Sequence, residues 1–313
     1  PTRVASGTIR RDPVSRRAMM AGGGVRAAAV CAAAALAAAA LAVPVAAERA
    51  VVQAPAALDF AAEGGVADDD SLSTRTSNRD LLNTLLSTDR LPPGSSLALA
   101  PGVNSSFHFL GGVVGDNLES VTLSIDGTLV FDADLDQWPT SPGSDAVLGC
   151  ILLRNATGVT ITSATEGGGV LDGRGDKWWG VPGVGYLERG ENRPKLLELD
   201  SPREVLVERL LLKDSPYWTF WAHGADGLEV RHTRIDARRT SEQKHTTIDL
   251  TAFNTDGFDV TGRNVWIHDC EVWNQDDCVC VKDDSRDMLF ERIRASGLGL
   301  TIGSIGGSTV RNI

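Results

Sequence analysis

Two short stretches, Asn254-Thr255-Asp256-Gly257 and Asn274-Gln275-Asp276-Asp277-Cys278, bring three carboxylates into a narrow window of the chain. Acid-catalysed cleavage of a bond between two sugars needs such groups, one to protonate the leaving oxygen and another to activate water or attack directly. A single Asp in this setting reads as a turn former, through the Asx hydrogen bond to its own backbone. Three of them at regular spacing read as a site. Asp277 follows Asp256 by 21 residues, and Leu298 follows Asp277 by 21.

The elements that must position these residues are short strands. Val205 and Val207 alternate with polar residues, and Leu212 follows. Leu228, Val230 and Ile235 repeat the pattern, as do Val265, Ile267 and Val272, with Met288, Phe290 and Ile293 a looser copy. Leu228 lies 23 residues after Val205 and Met288 lies 23 after Val265, while the step from Leu228 to Val265 is 37 and carries an excursion. Alternation marks strands, and a period in the range of roughly 20–50 residues marks a stacked repeat fold. Helical repeats are excluded by the short strands, and no leucine-rich consensus is present. The predicted fold is a parallel β-helix, each turn stacking a strand about 4.8 Å above the last. Stacking then puts Asp256, Asp277 and Leu298 on three successive rungs at one place on the perimeter. Asp276 and Asp277 would face opposite sides of a regular strand, so both reach one cleft only if the chain turns there.

At these residues the chain resembles the polygalacturonases of glycoside hydrolase family 28. The Asn-Thr-Asp signature of that family is matched by Asn254-Thr255-Asp256, and Asp-Asp-Cys by Asp276-Asp277-Cys278. Leu171-Asp172-Gly173-Arg174-Gly175 with Trp178-Trp179, Arg193-Pro194-Lys195 and Ser215-Pro216-Tyr217-Trp218 match flanking regions, so the likeness runs from about Leu97 to the end. The resemblance implies an all-β, right-handed, single-stranded parallel β-helix. It implies hydrolysis of α-1,4 galacturonan with inversion, by a single displacement with water. In that scheme Asp276 is the general acid and Asp256 and Asp277 hold and activate the water. Asn254, Gln275 and Lys282 are the expected substrate-binding residues, with no cofactor and no metal. The partner implied is pectic polysaccharide, and the chain is expected to be a monomer. A one-rung spacing is nearer the ~5 Å carboxyl separation of retaining enzymes than the ~6.5–9.5 Å of inverting ones, so inversion rests on the resemblance.

One departure matters. Where the family has Gly-His-Gly, this chain reads Gly297-Leu298-Gly299, and leucine neither donates a hydrogen bond nor carries charge. Leu298 is expected to point toward the acids, desolvating them, so a retuned hydrolase of another pectin region, or an impaired polysaccharide-binding β-helix, is the alternative. The family's Arg-Ile-Lys would fall beyond Ile313, and the helix is expected to be truncated there, without a C-terminal cap. In the family the Cys after Asp-Asp is bridged to one before Gly-His-Gly. Arg294-Ala295-Ser296 stands there instead, leaving Cys278 free or otherwise paired.

Composition bounds the rest. With 313 residues and 33 Gly, the chain can bury a large core in a fold made of turns. A formal charge of −11 argues against nucleic acid as partner and requires any anionic substrate to be met by local cations, Lys282 first. Arg10, Arg11, Arg16, Arg17 and Arg26 precede an apolar run from Ala27 to Ala47 that ends in Val45-Ala46-Ala47. Residues 1–47 therefore read as a targeting segment, and the protein as secreted, or membrane-anchored if the run is uncleaved. Residues 48–78 read as a polar linker with Asp68-Asp69-Asp70 solvated, and 79–313 as the β-helix domain. Leu81, Leu82, Leu85 and Leu86 put a short capping helix at Arg79–Asp89, and rungs are expected from about Leu97. Cys31 falls in the targeting run, leaving Cys150, Cys270, Cys278 and Cys280. Tyr217, Trp218, Phe220 and Trp221 read as packing residues rather than a sugar platform. The resemblance implies a structural role for His223, while His245 reads as an exposed loop residue, and His232 and His268 as outward-facing strand residues. No zinc spacing, P-loop or dinucleotide fingerprint is present.

Overall fold

The computed structural model describes residues 53–180, 190–240 and 251–313. The expected targeting segment, with Cys31, and His245 lie outside these residues. Strand pairing follows the apolar alternation. Val205, Leu228, Val265 and Met288 stand in register on successive rungs, as do Val207, Val230, Ile267 and Phe290. The named strands pair in parallel and stack as three faces around one apolar core. One face runs through Leu97, Leu123, Ile161 and Val207, and a second through Phe107, Leu129, Leu171 and Leu212. The third runs through Val113, Ile151, Leu197, Phe220, Phe258, Val279 and Leu300. This is a right-handed parallel β-helix, and its third face carries the carboxylates.

Inward positions are filled by side chains that are nearly or fully excluded from solvent, among them Val207, Val230, Phe220, Phe258 and Ile267. Burying each stabilises the fold by about 1.5–3 kcal/mol. Phe60, Phe107, Phe109 and Phe131 stack along one corner of the interior, with Phe60 edge-on to Phe107 at 4.8 Å. Turns between faces are made by residues with left-handed backbones, such as Asn117 and Asn155, which suit Asn because its side chain tolerates φ > 0. The amides of these two residues bond each other across rungs at 3.2 Å.

The N-terminal region differs from the expectation. The described part of the anticipated linker is folded. Ala57–Asp59 pairs with Ser96–Ala98, so a strand precedes the expected first rung at Leu97. The helix spans Leu72–Leu85 and so begins seven residues earlier than its leucines indicate. Ser71 is the reason: its side chain accepts the Thr74 N–H at 3.3 Å, an N-cap that leucine spacing does not reveal. Asp69 is spent on the same turn, accepting from the Thr74 hydroxyl at 2.6 Å and the Ser71 N–H at 2.9 Å, and Asp68 accepts the Ser106 N–H at 2.9 Å. Leu82, Leu85 and Leu86 are buried against the core, while Asn78 and Asn83 tie the helix to the His108 and Gly112 carbonyls. At the other end Leu300 lies over Val279 and Ile302 over Val281, both exposed.

Candidate active site

The Asn-Thr-Asp and Asn-Gln-Asp-Asp stretches bind each other across one rung step. The Asn274 side chain is fully buried; its Nδ2 donates to the Thr255 carbonyl at 3.0 Å and the Asp277 carbonyl at 2.8 Å. Thr255, also fully buried, accepts the Gln275 N–H on Oγ1 at 3.1 Å and donates to the Ala252 carbonyl at 2.8 Å. Gly257 completes the step. A Cβ there would lie 2.3 Å from the Cys278 carbonyl oxygen, so only glycine lets the rungs close. These polar residues can be buried because their groups find partners inside: backbone groups for Asn274 Nδ2 and the Thr255 hydroxyl, and the Cys278 thiol for Asn274 Oδ1.

The chain bends at Gln275 and Asp276, and so brings the carboxylates of Asp276 and Asp277 into one cluster. Asp276 Oδ2 accepts the Asn254 N–H at 3.1 Å, and Oδ1 accepts the N–H of Asp277 at 2.9 Å. Asn254 has a left-handed backbone, φ 58°. It is held by Arg193, whose guanidinium donates to Asn254 Oδ1 at 2.9 Å and to the Phe253 and Pro216 carbonyls at 2.9 and 2.8 Å. Carboxylate oxygens of Asp256, Asp276 and Asp277 lie within 4.8 Å of one another. They are the one such set of three among the described residues.

Three negative charges at this distance do not coexist freely. Asp256 is 6% exposed and one of its oxygens has no hydrogen-bond partner. Burial, with Asp259 and Asp276 nearby, pushes its carboxyl up to about 8. Burial also raises Asp276 above the usual carboxylate range. Asp259 is fully buried, and burial lifts it to about 6 against the pull of Lys282, whose ammonium is 3.1 Å away. Burial alone would lower Lys282; Asp259 and Cys280 beside it hold it above its ordinary value. A retained proton and this lysine lower the net negative charge of the cluster.

Asp256, Asp277 and Lys282 open on a cleft of about 430 Å³ whose lining also includes Tyr217, Trp218, Asn254 and Thr301. Asp276 stands behind this wall, within 4.8 Å of the other two carboxylates. Lys282 sits 4.7 Å from the centre of the Trp218 ring, which is itself stacked on Tyr217 at 5.1 Å. Phe220, by contrast, is core, and Trp221 lies under Lys195 at 4.4 Å.

Five of the six residues expected at the site thus converge: Asp256, Asp276, Asp277, Asn254 and Lys282. Gln275 does not present itself to a substrate; it is 2% exposed, because its backbone is drawn inward onto Thr255. Leu298 does not cover the acids either. It is 54% exposed and lies outside the cleft lining. The spacing of 21 holds from Phe258 to Val279, but a bulge at Cys278 puts Asp277 opposite Gly299, and Leu298 N–H bonds the Asp276 carbonyl. Cys150, Cys270, Cys278 and Cys280 are all free and buried. His268 is on the outer face yet 6% exposed, enclosed by Asp269, Glu229 and the Trp266 ring stacked at 3.8 Å, and His232 lies in a turn rather than on a strand. Spacing alone did not single out Arg193, Asp259 or Thr301. For Arg193 the flanking Arg-Pro-Lys is a signal, and for Thr301 its place two residues after Gly297-Leu298-Gly299, directly before Ile302-Gly303-Ser304; for Asp259 there is none.

A parallel β-helix with clustered carboxylates in a cleft on one face defines a site of the kind that cleaves glycosidic bonds. The chain belongs to the glycosyl hydrolases family 28, whose family model matches residues 111–313. It is 32% identical over 156 residues to the polygalacturonase of Saccharomyces cerevisiae, a match covering 50% of this chain and 40% of that one. With the probable endopolygalacturonase C of Aspergillus aculeatus it shares 31% identity over 194 residues, 60% of this chain and 46% of the relative. The matched part spans less than half the length of these relatives. Among solved structures, the endo-xylogalacturonan hydrolase of Aspergillus tubingensis superposes with a TM-score of 0.62 at 22% identity, covering 76% of this chain and 58% of the other. The polygalacturonase of Erwinia carotovora ssp. carotovora gives 0.60 at 20% identity, covering 83% and 68%. At these identities the structures establish the shared fold.

Proposed function

We propose that this protein is a secreted hydrolase of the α-1,4-galacturonosidic bonds of pectin. The observation that carries the reading is the meeting of Asp256, Asp276 and Asp277 within 4.8 Å, in surroundings that retain a proton at neutral pH. Asp276 gives its proton to the glycosidic oxygen as the bond to the anomeric carbon breaks. A water held by Asp256 and Asp277 attacks the opposite face and passes its proton to the carboxylate cluster. Lys282, in the cleft beside Trp218, meets the uronate charge in a chain that is otherwise acidic. Support for the substrate class comes from the relatives named polygalacturonase. The 4.8 Å separation is nearer the ~5 Å of retaining enzymes than the ~6.5–9.5 Å of inverting ones, so inversion rests on family likeness alone. No helix among the described residues is long and apolar enough to cross a membrane.

A second reading of the acid has its own observation. Both Asp276 oxygens accept backbone N–H groups, which favours its ionised form, whereas Asp256 holds its proton to about 8. Asp256 would then be the donor. The deciding experiment measures release of reducing ends from polygalacturonate by Asp276→Asn and Asp256→Asn, with melting as the control for folding. Loss of a general acid costs about 10²–10⁴ in rate. An aryl galacturonide whose leaving group needs no proton restores turnover to the variant that lost the acid, and to that one only. Near-normal turnover of polygalacturonate by folded Asp276→Asn sinks the first assignment.

A further inference from the structure

The three carboxylates are not held alike. Asp276 is fixed by two backbone N–H groups, and Asp256 keeps one buried oxygen without a partner. Asp277 is gripped from the next rung: the hydroxyl of Thr301 donates to its Oδ2 at 2.8 Å. The bulge makes this contact. Asp277 pairs with Gly299 but Val279 pairs with Leu300, so one extra residue, Cys278, is taken up between them. Thr301 then stands opposite Cys280, in the outward column that continues from Trp221 and Asp259, with its hydroxyl reaching back to Asp277. The hydroxyl has one proton to give. The Val279 carbonyl is 3.5 Å away, so the carboxylate takes it. Threonine is β-branched and stiff at χ1 in a strand, so little entropy is lost in aiming the hydroxyl.

We infer that Thr301 is a positioning residue for Asp277, setting the plane of that carboxylate so that its other oxygen, Oδ1, faces the attacking water. Thr301 lines the cleft but acts through Asp277 rather than on the sugar. A base must lie within hydrogen-bond reach of the proton it takes, and a carboxylate free to swing spends part of its time out of reach. This rests on the hydrolytic reading above. It also supplies an anchor for the carboxylate cluster from the rung on which Leu298 replaces the histidine expected there.

The test compares Thr301→Val, Thr301→Ser, Asp277→Asn and the Thr301→Val/Asp277→Asn pair on polygalacturonate, with melting curves throughout. Thr301→Val, which keeps the shape and removes the donor, is expected to lower kcat about 10-fold to 100-fold with KM within about 2-fold. Thr301→Ser is expected to recover most of that loss. In the Asp277→Asn background the valine change should cost nothing further, because the two residues act as a unit. The inference is overturned if Thr301→Val matches wild type, if serine falls as far as valine, if KM rises while kcat stands, or if the losses multiply in the double variant. An active wild type with an indifferent Thr301→Val removes this inference alone. A folded wild type that releases no reducing ends removes the hydrolytic reading and this inference with it.

Discussion

Replacing Asp256 by Asn should stabilise the protein, and should do so more as pH rises. The Asp256 carboxyl moves from an ordinary value of 3.8 to about 8 on folding, first through burial and then through Asp259 and Asp276. Between these pH values the folded protein keeps a proton that the unfolded chain has lost. The contribution is therefore fully present below pH ~4 and is lost as pH rises through ~8. At about 1.4 kcal/mol per tenfold change in proton affinity, an isolated group with this difference would penalise the fold by about 6 kcal/mol above pH 8. The repulsion is shared with two other acids, so removing one of them recovers less, on the order of 2–4 kcal/mol. Asn has the shape of the protonated acid and cannot ionise. The assay is thermal melting of wild type and Asp256→Asn from pH 4 to pH 8 at one scan rate. Their difference should widen with pH by roughly 5–10 °C in favour of the variant, while turnover is lost. A difference that is flat, or that narrows toward pH 8, would refute the claim that the cluster folds around a retained proton.

Lys282→Met should destabilise the fold by about 3–5 kcal/mol in denaturant titration, because fully buried Asp259 loses the ammonium 3.1 Å away. Adding Asp259→Asn should recover part of the loss, and equal stability of single and double variants would show that the two do not act as a pair. Gly257→Ala should cost about 1–3 kcal/mol, since its Cβ would press to 2.3 Å on the Cys278 carbonyl; an unchanged denaturation midpoint would mean that the rungs are not this closely seated.

What the amino-acid order alone determines here is the stacking. Val205, Leu228, Val265 and Met288 can be aligned by eye because alternation records which side chain faces the core, and a slip of one residue would turn the apolar set outward. The same count brings Asp256 and Asp277 to one place on the perimeter. The site's fine structure was decided elsewhere. The bulge at Cys278 shifts the last register, exposes Leu298 and delivers Thr301 to Asp277. Asp259 finds Lys282 across a rung, and Ser71 starts a helix that the leucines place too late. Apolar periodicity is repeated along the chain and so survives reading in one dimension. A polar contact between rungs depends on a one-residue offset and a side-chain rotamer, and both are chosen only when the neighbouring rung is already in place.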